Sequence, residues 1–106
     1  MFDPKEWTTT APKRIETLLA MTRAPQTSRE LQDKGISAGD INYYVGRVDR
    51  VKRNTADKKA LLGIEGYKHV SFIGEGIADI DSEATPATFW LTAKGLEYQD
   101  ELKAIL

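Results

Sequence analysis

The side chains with the clearest chemical potential are the cations between residues 42 and 60. This segment carries six basic side chains against Asp49 and Asp57, a net charge of +4 in a chain whose total is −1. The six are Arg47, Arg50, Lys52, Arg53, Lys58 and Lys59. Guanidinium and ammonium groups bind anionic oxygens, so the segment is a candidate surface for a polyanion.

The charge on the second half of the chain has the opposite sign. Residues 1–41 are neutral overall, whereas residues 61–106 have a net charge of −5. The acidic segment 74–83 contains no basic side chain, and its carboxylates are Glu75, Asp79, Asp81 and Glu83. Because phosphates repel carboxylates, this segment either points away from a polyanion or binds a protein instead.

Composition argues against most kinds of active site. The chain has no cysteine, which excludes disulfides, thiolate zinc sites and a cysteine nucleophile. His69 is the only histidine, which excludes multi-histidine metal sites, and no spacing assigns it a catalytic serine or carboxylate. The alternation of Asp79, Asp81 and Glu83 lacks the twelve-residue loop of a calcium site. We therefore expect no enzyme activity, no bound metal and no cofactor.

Length and hydropathy indicate one globular domain. The chain has 106 residues, of which 41% are hydrophobic and 29% are charged. No apolar run approaches the ~20 residues that span a membrane, and the N-terminal residues do not form a secretion signal. These features predict a cytoplasmic location. We expect residues 1–11 to form an N-terminal arm and residues 12–106 to form the folded domain.

Two short helices are predicted before residue 36. Pro12 suits the first turn of a helix that ends near Thr22. Thr27 and Glu30 form the spacing of a capping box, which predicts the start of a second helix. Gly35 favours the end of that helix.

A third helix is predicted to begin after Ser37 and to end near Val51. Its apolar side chains recur at helical spacing, at Ile41, Tyr44, Val45, Val48 and Val51. Its opposite face is polar and basic, with Asn42, Tyr43, Gly46, Arg47, Arg50 and Arg53. Residues 57–64 are predicted to form one more short helix, which packs through Leu61, Leu62 and Ile64.

The pattern changes to strands in the second half of the chain. Residues 67–73 alternate in hydropathy and predict a strand, and residues 87–91 predict its partner in a hairpin. Thr92 is predicted to begin a last helix, which ends near Ile105. The expected apolar contacts of this helix are Leu96, Leu102 and Ile105.

This order of elements resembles the winged helix-turn-helix superfamily. The resemblance is carried by Ser28-Arg29-Glu30-Leu31, the turn Gly35-Ile36-Ser37, the helix that follows from Ala38, and Phe89-Trp90-Leu91-Thr92-Ala93-Lys94-Gly95. It implies an α+β fold with a three-helix core, a β-hairpin wing and a C-terminal helix. The turn departs from the usual pattern, because Leu31 and Ile36 are five residues apart rather than six.

The resemblance also implies a function, namely a small sequence-specific protein that binds double-stranded DNA and regulates transcription. The helix of residues 38–51 would then lie in the major groove, where asparagine pairs with adenine and arginine pairs with guanine. Basic residues beyond it would hold phosphates. The expected DNA-binding residues are Ser28, Asn42, Tyr43, Arg47, Arg50, Arg53, Lys58 and Lys59.

Two other partners are suggested by the sequence. The C-terminal helix ends in apolar residues and could form a homodimer, which would suit a palindromic DNA site. The acidic wing and the net charge of −1 suggest an alternative function. In this alternative the chain is a winged-helix module that binds a protein, as an adaptor or a subunit of a complex.

Overall fold

A computed structural model describes residues 6–7, 11–46, 57–66 and 69–106. Its helices are α1 (Pro12–Ala20), α2 (Ser28–Asp33), α3 (Ala38–Asp40, continued as π-helix over Ile41–Val45), α4 (residues 57–61), α5 (Phe72–Glu75) and α6 (Ala93–Ile105). Its strands are β1 (Gln26–Thr27), β2 (Ala78–Asp81) and β3 (Thr88–Leu91). The α+β fold class is therefore confirmed.

Strand β3 is the centre of a three-stranded antiparallel sheet, with β1 on one side and β2 on the other. Phe89 pairs with Gln26 of β1 and with Ile80 of β2. Side chains alternate along β2, so Ile80 is buried while Asp79 and Asp81 are exposed. The carboxylates of this hairpin therefore face away from the core.

The core lies between the sheet and the helices. Its fully buried large side chains include Leu18, Leu31, Ile41, Val45, Phe72, Phe89 and Leu102. Trp7, which the sequence assigns to an N-terminal arm, is also buried and stacks on Phe72 with ring centroids 6.1 Å apart. Burial of each such side chain stabilises the fold by about 1.5–3 kcal/mol. Trp7 therefore joins the N-terminal residues to the core.

Helix α2 has the two ends that the sequence predicts. Thr27 Oγ1 accepts a hydrogen bond from Glu30 N at 3.1 Å, and Thr27 N donates to the Glu30 carboxylate at 3.2 Å. Gly35 has a φ of +95°, which lets Ile36 N donate back to Leu31 O at 3.3 Å. This closure buries Leu31 and Ile36 together, so the five-residue turn still supplies both core contacts.

Helix α6 is attached tightly to the start of β2 and to the end of α1. Thr92 Oγ1 accepts from Gly95 N at 3.2 Å and donates to Ile77 O at 3.0 Å. A Cβ on Gly95 would lie 2.1 Å from that same carbonyl oxygen. The buried Gln99 donates to Leu18 O at 2.9 Å and satisfies a carbonyl near the end of α1. The predicted N-cap of this helix is confirmed.

The strand predicted for residues 67–73 is wrong over its described part. Ser71 instead begins helix α5, and its Oγ accepts a hydrogen bond from Gly74 N at 3.0 Å. The buried carboxylate of Asp57 accepts from both Ser71 N and Ser71 Oγ. Phe72 is buried as the alternation suggested, but from a helix. The first strand of the hairpin is β2, which lies inside the acidic segment.

The prediction that the third helix continues to Val51 is also wrong, because α3 ends at Val45. Gly46 follows with a φ of +143°, and its N–H closes the last turn on Ile41 O at 3.1 Å. Only glycine adopts that backbone conformation readily, so the helix cannot continue through this residue. Val48 and Val51, the last members of the apolar stripe, lie outside the described residues.

Several apolar side chains predicted to pack inside are exposed. These are Leu61 at the end of α4, Leu62 and Ile64 after it, and Leu96 and Ile105 on α6. Only Leu102 of the three predicted α6 contacts is fully buried. Helix α4 is anchored through the buried Asp57, and Leu61 stays at the surface.

Candidate nucleic-acid interface

Helix α3 has a polar outer face and an apolar inner face. Ser37 begins the helix, because its Oγ accepts a hydrogen bond from Asp40 N at 3.1 Å. Ile41 and Val45 fix the inner face in the core. The exposed residues are Ala38, Gly39, Asn42 and Tyr43. Small side chains in the first turn leave room for another molecule to approach the helix backbone.

The residues predicted to bind DNA lie on several elements. Asn42 and Tyr43 are neighbours on the outer face of α3. Ser28 is half-buried in the first turn of α2, Lys58 is exposed on α4, and Lys59 is half-buried beside it. Arg47, Arg50 and Arg53 lie outside the described residues. The structure therefore brings Asn42 and Tyr43 together and puts Ser28 and the lysines on other helices.

An aromatic and cationic cluster lies beneath the exposed ring of Tyr43. His69 stacks on Tyr43 with ring centroids 3.9 Å apart and an interplanar angle of 25°. Tyr44 contacts Tyr43 edge-on at 4.9 Å. The Arg14 guanidinium lies over the rings of Tyr44 and Trp7, at 5.6 and 5.2 Å from their centroids. Helix α1 and the residues before α5 thus meet under the outer face of α3.

The contacts of His69 suit the neutral imidazole. Its Nδ1 lies 3.5 Å from Arg14 Nη2, which can only donate, and its Nε2 contacts Tyr43 O, which can only accept. A ring that accepts at Nδ1 and donates from Nε2 is the neutral imidazole with its proton on Nε2. His69 therefore joins α1 to the backbone of α3 as a neutral group.

Electrostatics favour the same neutral form. Burial lowers the pKa of His69 below the ordinary imidazole value of 6.5, and the charge of Arg14 lowers it further. The hydrogen bond to Tyr43 O and the Asp57 carboxylate raise the pKa, with a smaller combined effect. Burial also lowers the pKa of Arg14, although a guanidinium in a protein stays charged.

Asp57 connects α4 to α5. Its carboxylate accepts from Ser71 N at 3.2 Å and from Ser71 Oγ, and all of these groups are buried. A Cβ on Gly74 would lie 2.5 Å from the Asp57 side chain, so only glycine fits at this contact. This connection holds the helix that carries Lys58 against the residues that follow His69.

The carboxylates around the β2–β3 hairpin are partly used inside the protein. Asp81 Oδ1 accepts from Glu83 N at 3.1 Å and from the next backbone N–H, which shapes the turn. Glu75 forms an ion pair with Lys94 Nζ at 3.1 Å. Asp79 and Glu83 are exposed. The hairpin thus presents a negative surface, as its sequence predicted.

The described residues contain no second candidate site of the kinds considered below. Within the described ranges, no group of three or more histidine, aspartate or glutamate side chains is arranged to hold a metal ion. Among the helices described, none is both long and apolar enough to cross a bilayer. Comparison with protein-family models, curated proteins and solved structures finds no match to this chain. Geometry and charge are therefore the basis for a functional proposal.

Proposed function

We propose that this chain is a winged helix-turn-helix protein that binds double-stranded DNA sequence-specifically and regulates transcription. Four features of the fold support this proposal. Strand β1 lies between α1 and α2, the sheet has the order β1-β3-β2, and β2 and β3 form a hairpin between α5 and α6. Helices α2 and α3 are joined by a short turn, as in a helix-turn-helix pair.

The outer face of α3 is the observation that carries the proposal. Asn42 and Tyr43 are exposed there, on a helix whose opposite face is anchored in the core by Ile41 and Val45. An asparagine on such a helix can pair bidentately with adenine in the major groove. Tyr43 can contact a thymine methyl group or a phosphate.

The basic residues near α3 also support DNA binding at its outer face. Arg47, Arg50 and Arg53 follow directly in the chain, and Lys58 is exposed on the anchored helix α4. In the proposal Arg47 and Arg50 contact bases, and Arg53 and the lysines hold phosphates. The acidic hairpin, with Asp79 and Glu83 exposed, then faces away from the DNA.

Binding to duplex DNA across a salt series tests the proposal. Four or five phosphate contacts predict a slope of about −4 for log K against log salt concentration. On a duplex selected from a randomised pool, Arg47→Ala and Arg50→Ala should each weaken binding by about 1–3 kcal/mol. Arg23→Gln, which removes one exposed positive charge between α1 and β1, is the control. No binding at low salt, or binding that ignores salt, would refute the proposal.

We also propose a homodimer formed through α6. Ile105 and Leu106 are exposed at the end of this helix, which supports an apolar contact with a second copy. Two copies related by a two-fold axis would match a palindromic DNA site. The dimer would also double the number of phosphate contacts available to one complex.

The acidic hairpin favours a second candidate function, a module that binds a basic protein partner. Asp79 and Glu83 are exposed and lie on a surface that repels DNA. The double reversal Asp79→Lys with Glu83→Lys should abolish capture of a stoichiometric protein partner, and it should not weaken duplex binding because it removes negative charge. Asp81 is left intact in this test because it shapes the hairpin turn. Retained capture after the reversal would exclude the hairpin as the contact.

A further inference from the structure

His69 contacts Tyr43, which lies on the outer face of α3. We propose that His69 is a positioning residue for the DNA-binding face: it holds Tyr43 by ring stacking and by its backbone carbonyl, with an unprotonated Nδ1 that faces the Arg14 guanidinium. This inference depends on the proposed DNA binding and adds a means of regulating the same site.

The geometry shows how His69 acts on Tyr43. One face of the Tyr43 ring is covered by the imidazole at 3.9 Å, while the side chain remains 53% exposed. Tyr44 packs edge-on against the same ring and limits its rotation further. A ring that is ordered before DNA arrives loses less side-chain entropy on binding than a free one. His69 therefore presents Tyr43 in one orientation.

The surroundings of His69 explain why the neutral form fits better. The imidazolium would keep its bond to Tyr43 O, but its Nδ1 would no longer accept from Arg14. The titratable and charged groups that face it in the described structure are Arg14 from α1, Tyr43 and Tyr44 from α3, and Asp57 from α4. Protonation would add a proton to Nδ1, remove the acceptor that faces Arg14, and set two cations against each other. The Asp57 carboxylate attracts the imidazolium but is already bonded to Ser71. Low pH should therefore disturb the position of His69 between Arg14 and Tyr43.

The proposal predicts an unusual sign for the pH dependence. Protonation of a histidine adds positive charge, which in general strengthens binding to DNA. Here protonation of His69 should weaken binding, because repulsion between the imidazolium and the Arg14 guanidinium displaces the ring on which Tyr43 stacks. A simple charge effect and the positioning role therefore give opposite results in one measurement.

A double-mutant cycle on duplex binding tests the positioning role. At about pH 7.5, where the histidine is neutral, His69→Gln should weaken binding about fivefold, a loss typical of one hydrogen bond. In the Tyr43→Ala background, the same substitution should cause no further loss. His69→Phe, which keeps a stacking ring but neither hydrogen bond, should give an intermediate affinity. Circular dichroism on each variant verifies that it is folded.

The pH profile supplies the second readout. Wild-type affinity should fall as the pH is lowered from about 7.5 to below about 6.5, toward the lowered pKa of His69. The profile of His69→Gln should lack this fall, and the Arg23→Gln control should retain it. The inference would be overturned if His69→Gln caused the same loss of affinity in the wild-type and Tyr43→Ala proteins. It would also be overturned if the affinity of the His69→Gln protein fell at low pH as the wild-type affinity does.

The inference and the proposed function fail in different ways. If the wild-type protein binds no duplex at low salt, DNA binding itself is wrong. The contact is then judged on the free protein by NMR, where Tyr43 ring signals must shift as His69 titrates and must stop doing so in His69→Gln. Tyr43 signals that ignore the titration of His69 would refute the positioning role even in a protein that binds DNA.

Discussion

At Gly95, the close approach of α6 to the start of β2 leaves no room for a side chain. A Cβ would lie 2.1 Å from Ile77 O and 3.0 Å from a methyl carbon of Leu91. Thr92 caps the same helix, and Lys94 Nζ donates to the Glu75 backbone carbonyl at 2.8 Å. These residues carried much of the family resemblance, and in the structure they join helix to strand. Their pattern is therefore information about the fold rather than about a ligand.

Gly95→Ala should destabilise the protein by about 1–3 kcal/mol, because the added carbon must displace backbone rather than a flexible side chain. Gly39→Ala is the matched control, since its nearest contact is Ser37 Oγ at 3.9 Å and alanine favours helix. The control should change stability by less than about 1 kcal/mol, in the stabilising direction. Urea denaturation of both variants measures the difference. Equal stabilities would show that α6 does not lie this close to β2.

His69 should make stability depend on pH near neutrality. Burial lowers its pKa in the folded protein below the unfolded value of 6.5, so the unfolded chain binds the proton more readily. The contribution of His69 to stability is therefore complete above about pH 6.5 and falls as the pH drops toward the folded pKa. Urea denaturation of wild type and His69→Gln at several pH values measures it. The stability difference between the two proteins should shrink on acidification, and a constant difference would contradict the prediction.

The element boundaries that the sequence predicted correctly depend on local chemistry. Thr27 with Glu30, Ser37 and Thr92 each cap a helix through a contact within three residues. Such a contact depends on side-chain type and short spacing, both of which are visible in the sequence. The starts of α2, α3 and α6 were therefore predictable.

The boundaries that were predicted wrongly depend on contacts or conformations that spacing does not reveal. The residues after His69 alternate like a strand, but Ser71 bonds to Asp57, fourteen positions earlier, and caps α5. The apolar stripe of α3 continues past Gly46, but the positive φ of that glycine ends the helix. The hydropathy pattern shows which face of an element is buried. It does not show where a distant hydrogen bond or a positive φ begins or ends that element.

The candidate site was predictable only at its surface. Asn42 and Tyr43 follow from helical spacing once α3 is assigned, because they lie opposite Ile41 and Val45. The cluster beneath them joins Arg14, Tyr43 and His69, and the last two are 26 positions apart in the sequence. No local pattern links such distant positions, so the role of His69 became visible only in the fold.

Asp57→Ala tests whether the contact between α4 and α5 stabilises the fold. The substitution leaves the buried Ser71 N–H and hydroxyl without their acceptor, which should cost about 1–3 kcal/mol. Lys58→Ala, one position along and exposed, should change stability by less than about 0.5 kcal/mol. Urea denaturation compares the two variants. A loss for Asp57→Ala no larger than that of the control would show that this contact adds no stability.

At the scale of the whole molecule, exposed large aliphatic side chains form two groups in the described residues. One is at the end of α4 and in the turn after it, with Leu61, Leu62 and Ile64, and the other is at the end of α6, with Ile105 and Leu106. Exposed apolar groups that lie together often mark contacts with other molecules. The proposed homodimer forms through the group on α6, so the group at α4 can serve as a control.

The proposed dimer can be assigned to one of these two places by matched substitutions. Ile105→Ser with Leu106→Ser should convert the protein to monomers, because the change makes the proposed contact polar without touching the buried Leu102. Leu61→Ser with Leu62→Ser is the control of equal size and should leave the dimer intact. Sedimentation equilibrium over a range of concentrations measures the association. If the control pair dissociates the protein instead, the contact lies at the turn after α4, and if the wild type is monomeric throughout, the homodimer proposal is wrong.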